Sequence, residues 1–244
     1  MKNGMRMPRP IAILAALALL APFARGADEP AYVSREARGW TLLVRAELME
    51  PGQREATESA VGLIAEQLGD VARLIPPPAL ARLREVRIYL SPPYPGTSPK
   101  AEYHPDAGWL RANGRDPAMA RAVEFTNLAI LDREVRRMPM LTLHELAHAY
   151  HHQVLGFDHA GIREAFAKAK AAGTYEAVAR RDWQGRETRG VRAYALTNDK
   201  EYFAETSEAF FGRNDFFPFD RAELERADPG ACEMLRQAWG LGSR

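Results

Sequence analysis

The sequence predicts an α+β domain with two lobes, built from a small mixed sheet and a central buried helix. Three short β-branched or aromatic runs lie between longer stretches in which apolar residues recur at helical spacing. A stretch from Pro139 to Gly156 is apolar on most sides and has no Gly or Pro inside it. We expect that stretch to form a helix in the core, with the remaining elements packed around it.

The start of the chain is expected to be a targeting segment. Basic residues precede an apolar run over 11–23, which is too short to span a bilayer, and small residues allow cleavage after Gly26. We therefore predict a signal peptide over 1–26 and one domain over 27–244, secreted or periplasmic and without stable membrane association after cleavage. An uncleaved N-terminal anchor is the alternative.

Composition restricts the class of partner. With 46% hydrophobic and 27% charged residues, the chain can form an ordinary globular core. The net charge of +1 gives no electrostatic reason to expect nucleic acid or an anionic membrane as a partner. Cys232 is the only cysteine, so no disulfide forms within the chain. The oligomeric state is left open.

In the first half of the chain, Pro and Gly separate the predicted elements. The lead-in over 28–38 and the segment over 91–100 are expected to be loops, and three prolines at 76–78 are expected to end the first helix. The regular elements are strands over 39–45, 85–90 and 122–127, and a helix over 54–74.

Two features of this half leave alternatives open. The strand over 122–127 is either an exposed edge that binds a peptide by strand addition or an interior strand without a ligand. His104 has no histidine or acid at metal-ligand spacing, so we expect it to have a structural role or to lie at the rim of a site.

In the second half, capping residues define the predicted helices. Asn198 and Gly212 bound a helix over 199–211, and Asp220 with Glu223 forms a capping-box pattern. The basic segment over 174–191, with Gly185 and Gly190, is expected to contain a loop. The other predicted helices cover 162–172 and 231–239.

The central helix carries the pattern His-Glu-x-x-His. His144 and His148 lie four residues apart and therefore on one helix face, where both imidazoles can bind one zinc ion. Glu145 lies about 100° around the helix, where an unligated carboxylate can act as the base for a water. The pattern predicts a Zn²⁺ site with Glu145 as its general base.

A catalytic zinc usually has a third protein ligand. Glu201 and Glu205 are four residues apart on a second helix, so one can bind zinc while the other accepts the free N–H of a ligand histidine. Alternatively, Glu201 only completes a capping box with Asn198, and Glu205 and Glu208 are ordinary surface acids. Tyr194 lies just upstream, where a phenol can donate to an oxyanion. The weaker ligand candidates lie on or after the first helix: His151, His152, Asp158 and His159.

His144-Glu-Leu-Ala-His148, followed by Tyr194, six residues and Glu201-Tyr-Phe-Ala-Glu205, resembles the gluzincin metallopeptidases. Within them it is most similar to the catalytic domain of the anthrax lethal factor family. The resemblance is specific at these two segments, covers about the second half of the chain and does not extend to the other domains of that toxin.

The resemblance implies a zincin-like fold in which His144, His148 and Glu201 ligate zinc. It further implies that Glu145 activates the water, that Tyr194 assists the oxyanion, and that Glu205 supports a ligand from behind. Tyr202 replaces a Phe of the family pattern, which is a conservative change.

The expected function is that of a secreted zinc-dependent metallopeptidase acting on a peptide or protein substrate. One alternative is a zinc hydrolase of a non-protein amide or cell-wall substrate, which substrate profiling distinguishes. The other is a catalytically silent zincin-fold binding protein, which would not need Glu145.

Overall fold

The computed structural model describes residues 30–242, so the predicted signal peptide lies outside the described residues. The protein is a mixed α+β structure with a small mixed sheet. The strands are β1 (Tyr32–Ala37), β2 (Trp40–Arg45), β3 (Ile88–Leu90), β4 (Ala101–His104), β5 (Ala122–Phe125), β6 (Val178–Arg181) and β7 (Glu187–Val191).

The first five strands form one sheet in the order β1-β2-β3-β5-β4. The central pairs β2–β3 and β3–β5 are parallel, whereas β1 and β4 pair antiparallel at the two edges. Strands β6 and β7 form a separate hairpin. Strand β4 is therefore an outer edge of the sheet.

Helices make up most of the remaining described chain. The α-helices are α1 (Arg54–Leu74), α2 (Pro77–Leu83), α3 (Ala107–Ala112), α4 (Leu131–Arg137), α5 (Leu141–Tyr150), α6 (Ala160–Ala172), α7 (Asp199–Phe211), α8 (Arg221–Ala227) and α9 (Pro229–Ala238). Short 3-10 turns cover Ala46–Met49, Pro117–Met119, Leu128–Ile130 and Tyr194–Leu196, and a π-helical turn, His151–Leu155, extends α5. No helix in the described part of the chain has both the length and the apolar character needed to cross a bilayer.

The predicted long helix α1 and the cap-bounded helix α7 have the predicted limits. One loop prediction is wrong: strand β1 lies in the expected lead-in and pairs along its whole length with β2. The basic segment contains the predicted loop, over 182–186, but the residues on either side of it form the hairpin β6–β7. The triple proline ends α1 but also opens α2, because proline is tolerated in the first turn of a helix.

The strand predicted over 122–127 is interior, since β5 lies between β3 and β4. The strand that forms the edge of the sheet beside the central helix is β4. The sequence did not indicate this edge position. The outer position of β4 follows from its antiparallel pairing with β5 alone, from Ala101↔Phe125 to His104↔Ala122.

One continuous apolar core joins the sheet to the helices. Leu42 and Val44 of β2 and Ile64 and Leu68 of α1 are almost fully buried in it. Helix α5 is buried on nearly every side and packs between α1, β4 and α7. A helix in this position presents its few polar side chains only where neighbouring elements leave a cleft.

Candidate metal centre

Helix α5 presents His144 and His148 on the face that packs toward α7. The imidazole planes are nearly perpendicular, with ring centroids 4.8 Å apart. Both Nε2 atoms point to the same place, 3.2 Å from each other. The four-residue spacing therefore produces the convergence that the sequence predicts.

Helix α7 supplies the third side chain. The Asn198 Oδ1 atom caps the helix by accepting from the backbone N–H groups of Lys200 and Glu201, at 2.9 and 3.0 Å. The Glu201 carboxylate contacts the two histidines, with its Oε2 atom 3.2 Å from each Nε2 atom. Glu201 thus faces the histidines and does not merely close a capping box.

The three atoms form a triangle with sides of 3.2 Å. Tetrahedral zinc with ligand distances of about 2.0 Å requires ligand atoms about 3.3 Å apart. Charge-assisted hydrogen bonds are shorter, about 2.7–2.9 Å. Two imidazole nitrogens and one carboxylate oxygen at these separations fit a zinc ion better than they fit a hydrogen-bonded cluster.

The other nitrogen of His144 contacts Glu208. Its Nδ1 atom lies 2.7 Å from the Glu208 Oε1 atom and 3.9 Å from the nearest oxygen of Glu205. The supporting carboxylate is therefore Glu208, whereas Glu205 is bonded by the side-chain amide of Asn214 at 3.1 Å. An N–H donated from Nδ1 to Glu208 leaves the Nε2 lone pair of His144 free for a metal.

These buried charges act on one another. Burial would lower the pKa of His144, but hydrogen bonds with Glu201 and Glu208 raise it well above the ordinary value. Burial would raise the pKa of Glu201, but His144 and His148 lower it. Burial raises the pKa of Glu205, and the charge of Glu208 raises it further. The cluster holds more carboxylates than its imidazoles can neutralise.

Glu145 is held in place by the edge of the sheet. Its Oε2 atom accepts a 2.8 Å hydrogen bond from the backbone N–H of Tyr103 in β4. The carboxylate is buried, yet it lines the same cleft as His144 and His148. Its Oε1 atom is available to a water or a substrate.

Tyr194 lies in the turn before α7 and lines the cleft. Its side chain is 47% exposed, and its ring centroid is 6.4 Å from that of His144. Burial of part of the ring raises the pKa of its hydroxyl, and the charge of Glu201 raises it further. The phenol therefore stays protonated at neutral pH and can act as a donor.

The weaker ligand candidates lie elsewhere. His151 is fully buried against Phe157 and Phe203, and burial lowers its pKa to about 4. The His152 Nδ1 atom contacts the Tyr103 hydroxyl at 2.8 Å, and His159 caps α6. These three histidines lie outside the triangle of ligand atoms, and Asp158 is not part of it either.

Helix α7 is also held in place by a hydrogen bond of Tyr202. The hydroxyl of Tyr202 donates to the Asp228 carboxylate at 2.7 Å, and that of Tyr175 donates to the same oxygen at 3.0 Å. Asp228 in turn caps α9 through the backbone N–H of Ala231. The hydroxyl at position 202 thus has a structural partner.

The cleft extends to both sides of the histidines. One cavity of about 330 Å³ includes Tyr103, Phe157 and Lys200, and another of about 310 Å³ includes Met138 and Phe216. Lys100, Ala101, His144, Glu145 and Tyr194 border both. A substrate longer than the reacting group therefore has room on either side.

Sequence reasoning considered Glu208 only as a surface acid and did not indicate the edge β4. Positions 201, 205 and 208 share one helix face, which places Glu208 on the side of the site but does not decide between Glu205 and Glu208 as the partner of His144.

A comparison of the chain with protein-family models, with curated proteins and with solved structures gives no match in any of the three.

Proposed function

We propose that this protein is a secreted zinc-dependent metallopeptidase with a zincin-like arrangement of its sheet edge and central helix. The observation that carries the proposal is the triangle of ligand atoms from His144, His148 and Glu201, together with the buried carboxylate of Glu145 beside it. The resemblance to gluzincins over the same residues agrees with it.

His144, His148 and Glu201 would hold the zinc, and Glu208 would orient His144. When bound, zinc supplies Lewis acidity, which polarises a carbonyl and makes a water more acidic. Three protein ligands would leave the zinc open to a water or a substrate, and Glu145 and Tyr194 line the cleft beside these ligands.

Glu145 moves the proton. Its Oε1 atom accepts the proton of the attacking water as the oxygen of that water bonds to the carbonyl carbon. The same carboxyl then delivers the proton to the leaving amine nitrogen. The Tyr103 N–H keeps Oε2 fixed during both transfers, because it donates from a strand of the sheet.

Tyr194 supplies a donor for the oxyanion. A partly exposed phenol at the cleft wall can donate to the carbonyl oxygen as negative charge develops on it. Its raised pKa favours the protonated, donating form.

The edge strand β4 supports a peptide as the substrate. Residues of an antiparallel pair alternate between bonding their neighbour and facing outward. The outward N–H of Tyr103 is used by Glu145, so Ala101, two residues earlier, presents its backbone groups on the same side. An extended peptide can pair with them by strand addition.

Cleavage of a diverse peptide library by the zinc-loaded protein, followed by mass spectrometry, tests the proposal. We expect wild type to cleave and Glu145→Gln to bind one zinc with turnover reduced by about 10²–10⁴-fold. Glu164→Gln, a change on the exposed surface of α6, is the matched control and should behave as wild type.

Each other outcome identifies a different function. If wild type binds zinc and cleaves amides or cell-wall fragments but no peptide, the protein is a zinc hydrolase of another substrate class. If a biological effect of the protein is unchanged in Glu145→Gln, it is a binding protein and the peptidase proposal is wrong.

A further inference from the structure

The cavity beyond Glu145 on the side of Met138 has a mixed lining. Leu141 and Phe216 join Met138 in an apolar wall, and all three are largely buried. Charged side chains border the remainder: Lys100, Glu134, Arg137, Glu145, Arg180, Glu205 and Asp215. The charges nearly balance, so recognition in this cavity depends on where each donor points.

Arg180 is held rigidly at this wall. Its Nε atom donates to the Asp215 Oδ2 atom at 3.0 Å, and its guanidinium lies 4.5 Å from the centre of the Phe216 ring. The backbone of Arg180 also bridges that of Phe216. One hydrogen bond and one aromatic stack therefore fix the plane of the guanidinium before any ligand arrives.

Arg137 on α4 belongs to the same ionic group, but both of its Nη groups are already bonded to carboxylates of the protein. Its two Nη atoms donate to Asp215 at 2.9 Å and to Glu134 at 2.7 Å. The Nη groups of Arg180, in contrast, have no hydrogen-bond partner among residues 30–242. The Arg180 side chain is 40% exposed, so these donors are accessible.

We propose that the two Nη groups of Arg180 bind a carboxylate of the substrate in the cavity next to the reacting bond, an inference that rests on the proposed peptidase function. A preoriented guanidinium matches a carboxylate with two parallel hydrogen bonds. The carboxylate comes from a Glu or Asp side chain beside the scissile bond or from the C-terminus of a short peptide. Arg180 is thus a specificity-determining residue.

The neighbouring Arg181 provides a matched control. Adjacent residues of a strand face opposite sides. The Arg181 guanidinium stacks on Phe219 at 3.6 Å and lines a different cavity, with Glu187. Arg181 therefore shares the strand, the charge and an aromatic contact with Arg180 but not the cleft.

The test measures kcat/KM of the zinc-loaded full chain on matched peptides. These carry Glu, Gln, Leu or Lys next to the scissile bond, on either side, and a further pair ends there as a free acid or an amide. We expect wild type to prefer Glu, and Arg180→Gln to lower the Glu-to-Leu ratio by about 10- to 100-fold, mainly through KM. Arg181→Gln should keep that ratio, and Arg180→Glu should move the preference toward Lys.

The acid and amide peptides identify the source of the carboxylate. A preference for the free C-terminal acid that Arg180→Gln removes assigns the site to chain ends, whereas a preference for internal Glu assigns it to side chains. The proposal is overturned if wild type prefers neither Glu over Leu nor the free acid over the amide, or if Arg180→Gln leaves both preferences unchanged.

A binding measurement separates this inference from the proposed function. If zinc-loaded wild type cleaves no peptide, the peptidase proposal fails. A fluorescent Glu peptide is then titrated into Glu145→Gln protein with and without Arg180→Gln. Weaker binding to the double variant supports the carboxylate site, and equal binding overturns it.

Discussion

In the described part of the chain, two histidine–glutamate pairs with fully buried glutamates lie in different surroundings. In the sheet, His104 on β4 lies 2.9 Å from Glu124 on β5. In the cleft, His144 on α5 lies 2.7 Å from Glu208 on α7. Both glutamates are fully buried.

The pairs differ in the donors available to the carboxylate. Glu124 also accepts from the Tyr94 hydroxyl at 2.8 Å and lies 3.4 Å from the Arg115 guanidinium. Burial would raise its pKa, but His104 and its other donors lower it.

Glu208 has no such surplus of donors. Its Oε2 atom has no partner in the described part of the chain, and burial raises its pKa despite His144. The charge of Asp215 raises this pKa further, and that of Arg137 on α4 lowers it without reversing the shift. The pair His104–Glu124 has enough hydrogen-bond donors for its carboxylate and stabilises the edge of the sheet. The pair His144–Glu208 lacks compensating positive charge, which suits the binding of a divalent cation.

The largest expected difference between the pairs concerns zinc itself. His144→Ala removes one of three ligand atoms, so we expect the purified protein to lose its one zinc per chain. His104→Ala should keep the zinc and lower the thermal midpoint, because Glu124 loses a donor. Elemental analysis and thermal unfolding of the two variants measure both, and zinc loss in His104→Ala alone would contradict the comparison.

Stability should distinguish the two glutamates next. Glu124→Gln breaks a buried ionic cluster, and we expect it to reduce the free energy of unfolding by about 3 kcal/mol at neutral pH. Because the folded-state pKa of Glu124 lies below the ordinary 4.5, this contribution is full above pH 4.5 and is lost as the pH falls through the folded value. Urea unfolding across this range measures the difference, and a loss that is independent of pH would refute the assignment.

Zinc affinity should depend on Glu208 and not on Glu124. Glu208→Gln weakens the hydrogen bond that orients the His144 imidazole, so we expect zinc to bind about 10- to 100-fold less tightly. Glu205→Gln should have a smaller effect, since Glu205 lies 3.9 Å from the Nδ1 atom. Competition with a chelator measures the affinities, Glu124→Gln is the control, and a larger effect of Glu205→Gln would restore Glu205 as the supporting residue.

The smallest expected effect is a dependence of zinc affinity on pH. The raised pKa of His144 keeps its imidazole protonated to higher pH in the metal-free protein. Zinc requires the neutral imidazole, so affinity falls as the pH is lowered below that pKa, by about tenfold per pH unit for one proton. Calorimetry in two buffers of different ionisation enthalpy measures the proton released, and none released at neutral pH would contradict it.

Local signals in the sequence predicted α1 and α7 and the approach of His144 to His148. Asn198 and Gly212 bound α7 because a side-chain cap and a terminal glycine act within a few residues. The four-residue spacing fixes two histidines on one helix face whatever surrounds the helix. Glu201 required a second helix to pack at the correct height, and it does.

What the sequence did not reveal depends on distant packing. Strand β1 is largely exposed and polar, so only its pairing with β2 defines it. The choice of Glu208 over Glu205 depends on the rotation of α7 against α5, which neither helix specifies alone. The edge position of β4 likewise follows from the order of strands, which alternation within one strand cannot encode.

The hydrogen bond from Tyr103 to Glu145 has a consequence for mutational tolerance. The donor is a backbone N–H, so every residue at position 103 supplies it except proline. Replacing the Tyr103 side chain removes its contact with His152 but leaves the support of Glu145 intact. A scan of side chains would therefore record no requirement at position 103 for positioning the base, although the chain at that point holds it, and Tyr103→Pro alone would reveal the dependence.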